Sequence, residues 1–324
     1  MSWSENLFLN VLKAAAPTAF IYEKDFSPFV KDITSLCEQN KIPLDCILVD
    51  FDGITLSPKI AEVLLNDKHK IILFGLKENV WHFPERQQAK SKLKKKLISL
   101  ACYYDRITEE GDYDNSIIKA LANDLALARL FEKGKKVTIA SPSGTKIKAE
   151  IGERSFFENG DYSKCGSGGD FPSGEVGFGP KENSVNGLIV FDLKIQHIGT
   201  VSNLKVEVEQ DKIVTIEGEK KEAYEKLLKK HDILNLISEI SIGINPFIRI
   251  KNEPSVLEEK KLGTVHFGHG ANLSYGKRKG LHFDAVIRDP TFTIEDKIIL
   301  KRGGINKIIL SEETKSLLEK VDES

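Results

Sequence analysis

The residues best equipped for chemistry lie between Leu262 and Pro290, in LGTVHFGHGANLSYGKRKGLHFDAVIRDP, which gathers three of the seven histidines and Asp284 within 19 residues. His282 and Asp284 stand two apart in LHFDAVI. That run of apolar and β-branched residues predicts a strand, so both side chains emerge from one face. His266 sits in TVHF, a second strand candidate, and the glycine-rich connection GHGANLSYGKRKG allows the two strands to fold back beside each other. Two imidazoles and a carboxylate would then converge, and those are ligand types for a divalent metal. The plainer readings are packing histidines and a hydrogen-bonded H-x-D pair. His269, three residues beyond His266, faces the other way on a regular strand; it is a candidate for proton transfer or substrate contact where Gly268 kinks the backbone.

Two glutamates extend the set. Glu175 falls in CGSGGDFPSGEVGFGP, where glycines and prolines predict an irregular loop whose backbone can approach a ligand. Glu239 falls in LISEISIGINP, an acid within an apolar run, and a buried carboxylate needs a cation or hydrogen-bond donors. The plainer readings are a solvated loop acid and an edge-strand acid.

These segments have to be held by a larger frame. The chain has 324 residues, 40% of them hydrophobic, and a net charge of -1. That is long enough for two domains, and the balanced charge argues against a nucleic-acid or membrane-surface partner. MSWSENLFLNVLKAAAP lacks the basic head and long apolar core of a signal peptide, and no apolar run reaches the ~18 residues of a membrane span, so a cytoplasmic location is expected. Cys37, Cys46, Cys102 and Cys165 form no C-x-x-C pair, which leaves nitrogen and oxygen to hold any metal.

The first part, residues 1–134, alternates strand candidates (Thr18 to Tyr22, Cys46 to Phe51, Lys70 to Gly75, Cys102 to Arg106) with helices. This predicts an α/β N-terminal domain with a largely parallel sheet. Helices should start at Ser27-Pro28 and Ser57-Pro58, each with serine as N-cap and proline in the first turn, and Pro84 to Leu100 should form an exposed helix with KSKLKKK on its solvated face. Asp50 and Asp52 in VDFDG lie where open α/β sheets bind ligands, yet no glycine-rich phosphate loop follows any of these strands. The expected role of this domain is scaffold or partner surface. From Lys133-Gly134-Lys135 onward short strands dominate, beginning with a hairpin around Ser141 to Thr145. Residues 135–324 are expected to form an α+β, strand-rich, metal-binding catalytic domain, interrupted by a helix at Glu219 to His231 and closed by another in SEETKSLLEKVDES.

Taken in order, PSGEV with ENSVNG behind it, SEISIGINP, GTVHF and LHFD resemble the carboxyl-terminal domain of the M29 metallopeptidases, typified by aminopeptidase T, over roughly Phe171 to Pro290. The resemblance implies that Glu175, Glu239, His266, His282 and Asp284 hold a pair of divalent ions (zinc, cobalt or manganese) in a homodimer. It also implies aminopeptidase-like hydrolysis of a small peptide or amide, with metal-activated water as nucleophile and Glu175 or Glu239 orienting that water or carrying its proton. Three carboxylates against two divalent ions leave room for one hydroxide. A tyrosine after the first histidine is a further ligand in that family; Tyr275 is the tyrosine nearby, at a different spacing.

The chain and its histidine-to-histidine connection also look shorter than in the typical peptidase, which resembles the shorter relatives. Among these are 2,5-dihydroxypyridine dioxygenases, which share the domain and open an aromatic ring with one non-haem iron. On that alternative His266, His282 and Asp284 form a two-histidine, one-carboxylate face on iron(II), with open positions for oxygen and a small-molecule substrate. The glutamates then stand outside the ligand set and His269 becomes a proton carrier. A third alternative is a non-catalytic relative that keeps the fold as a binding module.

Overall fold

A computed structural model of the chain describes residues 7–13, 16–53, 55–78, 80–100, 115–248 and 255–322. The chain forms two compact units, Met1–Asn115 with Gly160–Ser173, and Ser116–Asn159 with Gly174–Ser324. No helix among the described residues is long and apolar enough to cross a membrane.

The first unit is an α/β layer. Its strands are β1 (Thr18–Tyr22), β2 (Leu44–Leu48), β3 (Ile71–Gly75), β4 (Lys96–Ser99) and β7 (Gly168–Asp170), all parallel, in the order β2-β1-β3-β4-β7. Both faces of β1 and β3 are covered, which is why these strands read as unbroken apolar runs. Helix α1 (Ser27–Gln39) turns Phe29, Ile33, Leu36 and Cys37 onto one face with Phe20 and Leu73; α2 (Pro58–Leu65) packs Ile60, Val63 and Leu64 against Ala19, Ile21 and Ile72 on the other.

Ser57 caps α2, its Oγ accepting from the Ile60 amide at 3.3 Å. Ser27 does not cap α1. A 3₁₀ turn over Lys24–Phe26 runs straight into the helix, so Ser27 already has helical dihedrals and Phe26 holds the cap position without a side-chain bond. The long exposed helix expected at Pro84 to Leu100 is also corrected: the helix there, α3, is Pro84–Ser91, and Lys96–Ser99 is the buried strand β4. Lys95 and Lys96 thread their stems inward and donate to the Val63 and Val11 carbonyls, so the lysine run is only partly a solvated face. Cys102 to Arg106 lies outside the described residues.

The second unit is built on a 14-stranded antiparallel sheet. After helix α4 (Asn115–Leu127), the hairpin β5 (Lys136–Ala140) and β6 (Lys146–Glu158) opens it, and β8 (Glu175–Pro180), β9 (Asn186–Phe191), β10 (Lys194–Ile195), β11 (Gly199–Thr200), β12 (Leu204–Glu209) and β13 (Lys212–Gly218) follow. After helix α5 (Lys221–Leu228) come β14 (Ile237–Gly243), helix α6 (Ser255–Lys260), β15 (Val265–Gly270) and β16 (His282–Ile287). Strands β8, β14, β15 and β16 lie side by side in that order. Glu175 therefore does not sit in an irregular loop. It opens β8, every residue of which is buried, and the glycines that suggested a loop are there for close packing: a Cβ on Gly177 would lie 1.9 Å from Ser241 Oγ.

Candidate metal centre

Strand register decides which side chains meet. Ser241 pairs with His266, Glu239 with Gly268, and Gly268 in turn with Asp284; Gly270 pairs with His282, and Gly243 with Glu175. Directly paired residues project from the same face and alternate residues share it. Glu175, Glu239, His266, His282 and Asp284 thus all stand on one face of four neighbouring strands. The opposite face carries Val176, Phe178, Ile240, Ile242, Phe267 and Phe283, the apolar core that fixes the register.

The five side chains come within bonding range of one another. His282 Nε2 lies 3.0 Å from Asp284 Oδ1 and 3.5 Å from Glu239 Oε2; His266 Nε2 lies 3.3 Å from Glu239 Oε1 and 3.3 Å from Glu175 Oε2. Two donor sets result, Glu239-His282-Asp284 and Glu175-Glu239-His266, with Glu239 common to both. Spacings of 3.0 to 3.5 Å suit a metal. Adjacent ligands that each lie ~2.1 Å from an octahedral ion are about 3 Å apart.

The hydrogen bonding sharpens the case for a cation. His282 Nδ1 lies 2.6 Å from the Ala271 carbonyl, which can only accept, so Nδ1 carries the hydrogen and Nε2 turns a lone pair toward two carboxylates. Lone pair against carboxylate is repulsive unless a proton or a metal ion stands between them. Burial works against a charged ring, but Asp284 and Glu239 outweigh it and raise His282 to about 9. Burial opposes ionisation of Asp284 too, and His282 overrides it, holding that carboxyl below the ordinary carboxylate range. Burial likewise disfavours a charged His266, yet Glu239 and Glu175 draw it upward. Glu175 is pushed upward by burial, with Lys260 and His266 restraining the rise. Polar partners outside the set fix it: Ser241 Oγ donates to Glu239 Oε1 at 2.8 Å, and Gln196 brackets Asp284, its Oε1 accepting from the Asp284 amide and its own amide donating to the Asp284 carbonyl.

Gly268 leaves the room that these groups fill. A Cβ there would sit 2.6 Å from both Glu239 Cβ and His282 Cε1, and 3.0 Å from Asp284 Oδ1. The donors, their spacing and this cradle fit a divalent ion.

His269 is not brought to this face. It projects from the other side of β15 into the core, stacked on Phe283 at 4.2 Å with 12° between the rings, with Nε2 2.6 Å from the Tyr224 hydroxyl and Nδ1 3.1 Å from the Phe267 carbonyl. Burial depresses it to about 3, so it is a neutral packing residue rather than the expected proton carrier. Tyr275 lies in the connection between β15 and β16 and stacks on Phe156 at 4.8 Å.

One participant was missed in the sequence. Lys260, at the end of α6, is 1% exposed, and its Nζ lies 2.8 Å from Glu175 Oε1, 3.1 Å from Glu158 Oε2 and 3.4 Å from Glu259 Oε1. LEEKK reads as an ordinary solvated charge run, and only the burial of Leu257 through Lys260 sets it apart.

The fold has solved counterparts. The structure of 2,5-dihydroxypyridine dioxygenase from Pseudomonas putida KT2440 matches with a TM-score of 0.76 at 17% identity, over 96% of this chain and 98% of that one. Wild-type AmpT from Thermus thermophilus matches with a TM-score of 0.59 at 13% identity, over 94% of this chain and 98% of that one. At such identities the likeness is one of fold. No curated protein matches in sequence. The family model of 2,5-dihydroxypyridine 5,6-dioxygenase (NicX) matches residues 121–307, more than half of the chain and inclusive of all five converging residues, and the chain belongs to that family.

Proposed function

We propose that the protein is a mononuclear non-haem iron dioxygenase that opens a hydroxylated aromatic ring. His266, His282 and Asp284 would hold the iron(II). The observation that carries the reading is the aim of His282 Nε2: its ring is pinned through Nδ1 to Ala271, and Nε2 points at Asp284 and Glu239 across 3.0 and 3.5 Å, where a proton or a metal ion has to stand. Membership of a family described as 2,5-dihydroxypyridine 5,6-dioxygenase supports the choice of ring opening over the peptide hydrolysis expected first. When bound, the metal would supply adjacent open positions on which a hydroxylated substrate and dioxygen can meet.

The chain's own residues do the rest. Ser241 holds the Glu239 carboxylate, Gln196 anchors the Asp284 backbone, and His282 meets the Asp284 carboxylate, so the site is organised before substrate arrives. Glu239, with an oxygen facing each imidazole, is placed to take the proton of a substrate hydroxyl and return it to the product. Glu175 lies beside His266, and burial pushes its carboxyl upward against the restraint of Lys260 and His266. The small-molecule substrate and the homodimer implied by the M29 resemblance belong to this proposal, and sedimentation measures the second.

A two-ion hydrolase is the other reading, favoured by the pair of donor sets that share Glu239. One experiment separates them. Anaerobically purified protein loaded with Fe(II) is given 2,5-dihydroxypyridine while oxygen uptake and loss of aromatic absorbance are followed. The same preparation loaded with Zn(II), Co(II) or Mn(II) is given aminoacyl and peptide substrates. Stoichiometric oxygen uptake with iron supports ring opening; release of amino acids without oxygen uptake overturns it.

A further inference from the structure

We infer that Asn272 is a positioning residue: it fixes the peptide plane whose carbonyl holds His282 Nδ1, and so sets the aim of Nε2 at the metal position. The inference rests on the reading that this face binds a metal ion, and extends it to a residue outside the ligand set.

The Ala271 carbonyl and the Asn272 N–H belong to one planar trans peptide unit and point in opposite directions. Both ends of that unit are bonded. His282 Nδ1 donates to the carbonyl at 2.6 Å, and the Asn272 N–H donates to the Arg278 carbonyl at 2.9 Å. The plane cannot turn away from His282 without breaking the second bond. The side chain of Asn272 closes the arrangement. Its Oδ1 accepts from the Arg278 amide at 3.0 Å, completing a reciprocal pair, and its Nδ2 donates to the Ser238 carbonyl at 3.1 Å. Ser238 precedes Glu239 in β14, so the carboxamide ties the connection that carries Ala271 to the strand that carries Glu239. Those are the two elements whose side chains, His282 Nε2 and Glu239 Oε2, face each other at 3.5 Å.

The position calls for an amide. One planar group has to offer an acceptor on one side and a donor on the other, and Asn272 is 5% exposed, so solvent is not at hand to replace either partner. The group is closely enclosed: a Cβ on Gly276 would lie 2.3 Å from Asn272 Oδ1. The rest of the connection is moored separately, Arg278 to Asp211 at 3.4 Å and Tyr275 against Phe156, so the chain keeps its path when the carboxamide alone is changed. A ligating imidazole held through its other nitrogen presents its lone pair in one direction, and loss of such support weakens metal binding about ten- to a hundredfold.

The test uses the full-length protein with Zn(II), which is diamagnetic. Affinity is measured by competition with a chelator, and ring protons are followed by nuclear magnetic resonance of 15N-histidine-labelled protein. Wild type should show a His282 Nδ1–H signal protected from solvent exchange, identified by its absence in His282→Ala. Asn272→Asp keeps the shape but turns an acceptor toward the Ser238 carbonyl. In it the ring proton should exchange at least about tenfold faster and Zn(II) affinity fall about ten- to a hundredfold, with circular dichroism unchanged. Asn272→Ala, which buries no charge, should show the same losses and decides the matter if Asn272→Asp does not fold. A merely structural role would lower the urea midpoint and leave the ring proton protected. Folded variants that hold affinity within about threefold of wild type, or that keep the protected proton, would overturn the inference. Failure of both variants to fold would overturn it too, since the moorings at Asp211 and Phe156 would then not hold the connection. Wild type that binds Zn(II) no better than His282→Ala would instead sink the metal reading itself, and the inference with it.

Discussion

The sharpest consequence of the geometry is a proton that metal has to displace. In the metal-free chain His282 is raised to about 9 by Asp284, so at neutral pH the ring carries hydrogens on both nitrogens. A metal needs Nε2 bare. At pH 7 that deprotonation costs about 2.7 kcal/mol, from two pH units at 1.36 kcal/mol each. Apparent affinity should therefore rise about tenfold per pH unit from pH 7 to 9, roughly a hundredfold in all, and level off above. His266, also raised, can steepen the slope but not reverse it. The assay is anaerobic calorimetry with Fe(II) or Mn(II) across this range, in buffers of different ionisation enthalpy, so that protons released are counted with the affinity. At pH 7 at least about one proton should leave per ion. Affinity that is flat from pH 7 to 9, with no proton released, would refute the reasoning, because the His282-Asp284 contact would then not be a protonated pair awaiting exchange.

Related outcomes follow from the same contacts. The stability of the metal-free chain should contain a His282-Asp284 contribution that is complete below the unfolded histidine value of 6.5 and lost as pH rises through about 9, seen as a falling urea midpoint. His282→Ala should abolish metal retention by elemental analysis and, by leaving Asp284 buried without its partner, cost the metal-free chain about 3 kcal/mol. Gly268→Ala should weaken metal binding by more than about tenfold while far-ultraviolet circular dichroism is unchanged, since its Cβ strikes Glu239 and His282 in a strand conformation open to alanine. Phe283→Ala, which removes the ring stacked on His269, should cost about 3 to 5 kcal/mol by denaturant unfolding.

What the sequence revealed of this site was the part governed by short-range rules. The two-residue spacing of His282 and Asp284 put both on one face of a strand, and the glycine-rich connection placed TVHF beside it; β15 and β16 pair in that way. Glu239 stood out as an acid in an apolar run, and it lies in a central strand. The errors came where tertiary packing overrode local preference. Glycines around Glu175 were read as loop because nothing local shows that Ser241 and Tyr275 crowd against β8. Lys95 and Lys96 were read as solvated because a lysine that reaches a buried carbonyl looks like any other. Lys260 was invisible for the same reason: its burial is decided by Glu158 and Glu175, some 100 and 85 residues earlier in the chain.

The pairing pattern explains how neighbouring strands can concentrate so many charged groups. Neighbouring strands lie about 4.8 Å apart, and bulky residues placed directly opposite would splay one another outward. Here each donor has a small residue opposite it on one side, Gly268 between Glu239 and Asp284, Gly270 by His282, Gly243 by Glu175 and Ser241 by His266, while on the other side Glu175 faces Glu158 and His266 faces Val286. Each long side chain can lean across the small residue beside it, which brings imidazole and carboxylate atoms from separate strands to 3.3 Å, helped by a break in the β14 register between Ile237 and Glu239. The core on the opposite face then locks the register, because a slip of one residue would drive Glu239 and His266 among Phe178, Phe267 and Phe283. Burial of the aromatic face and assembly of the charged one are thus the same event, and a chain that folds this sheet has already formed the site.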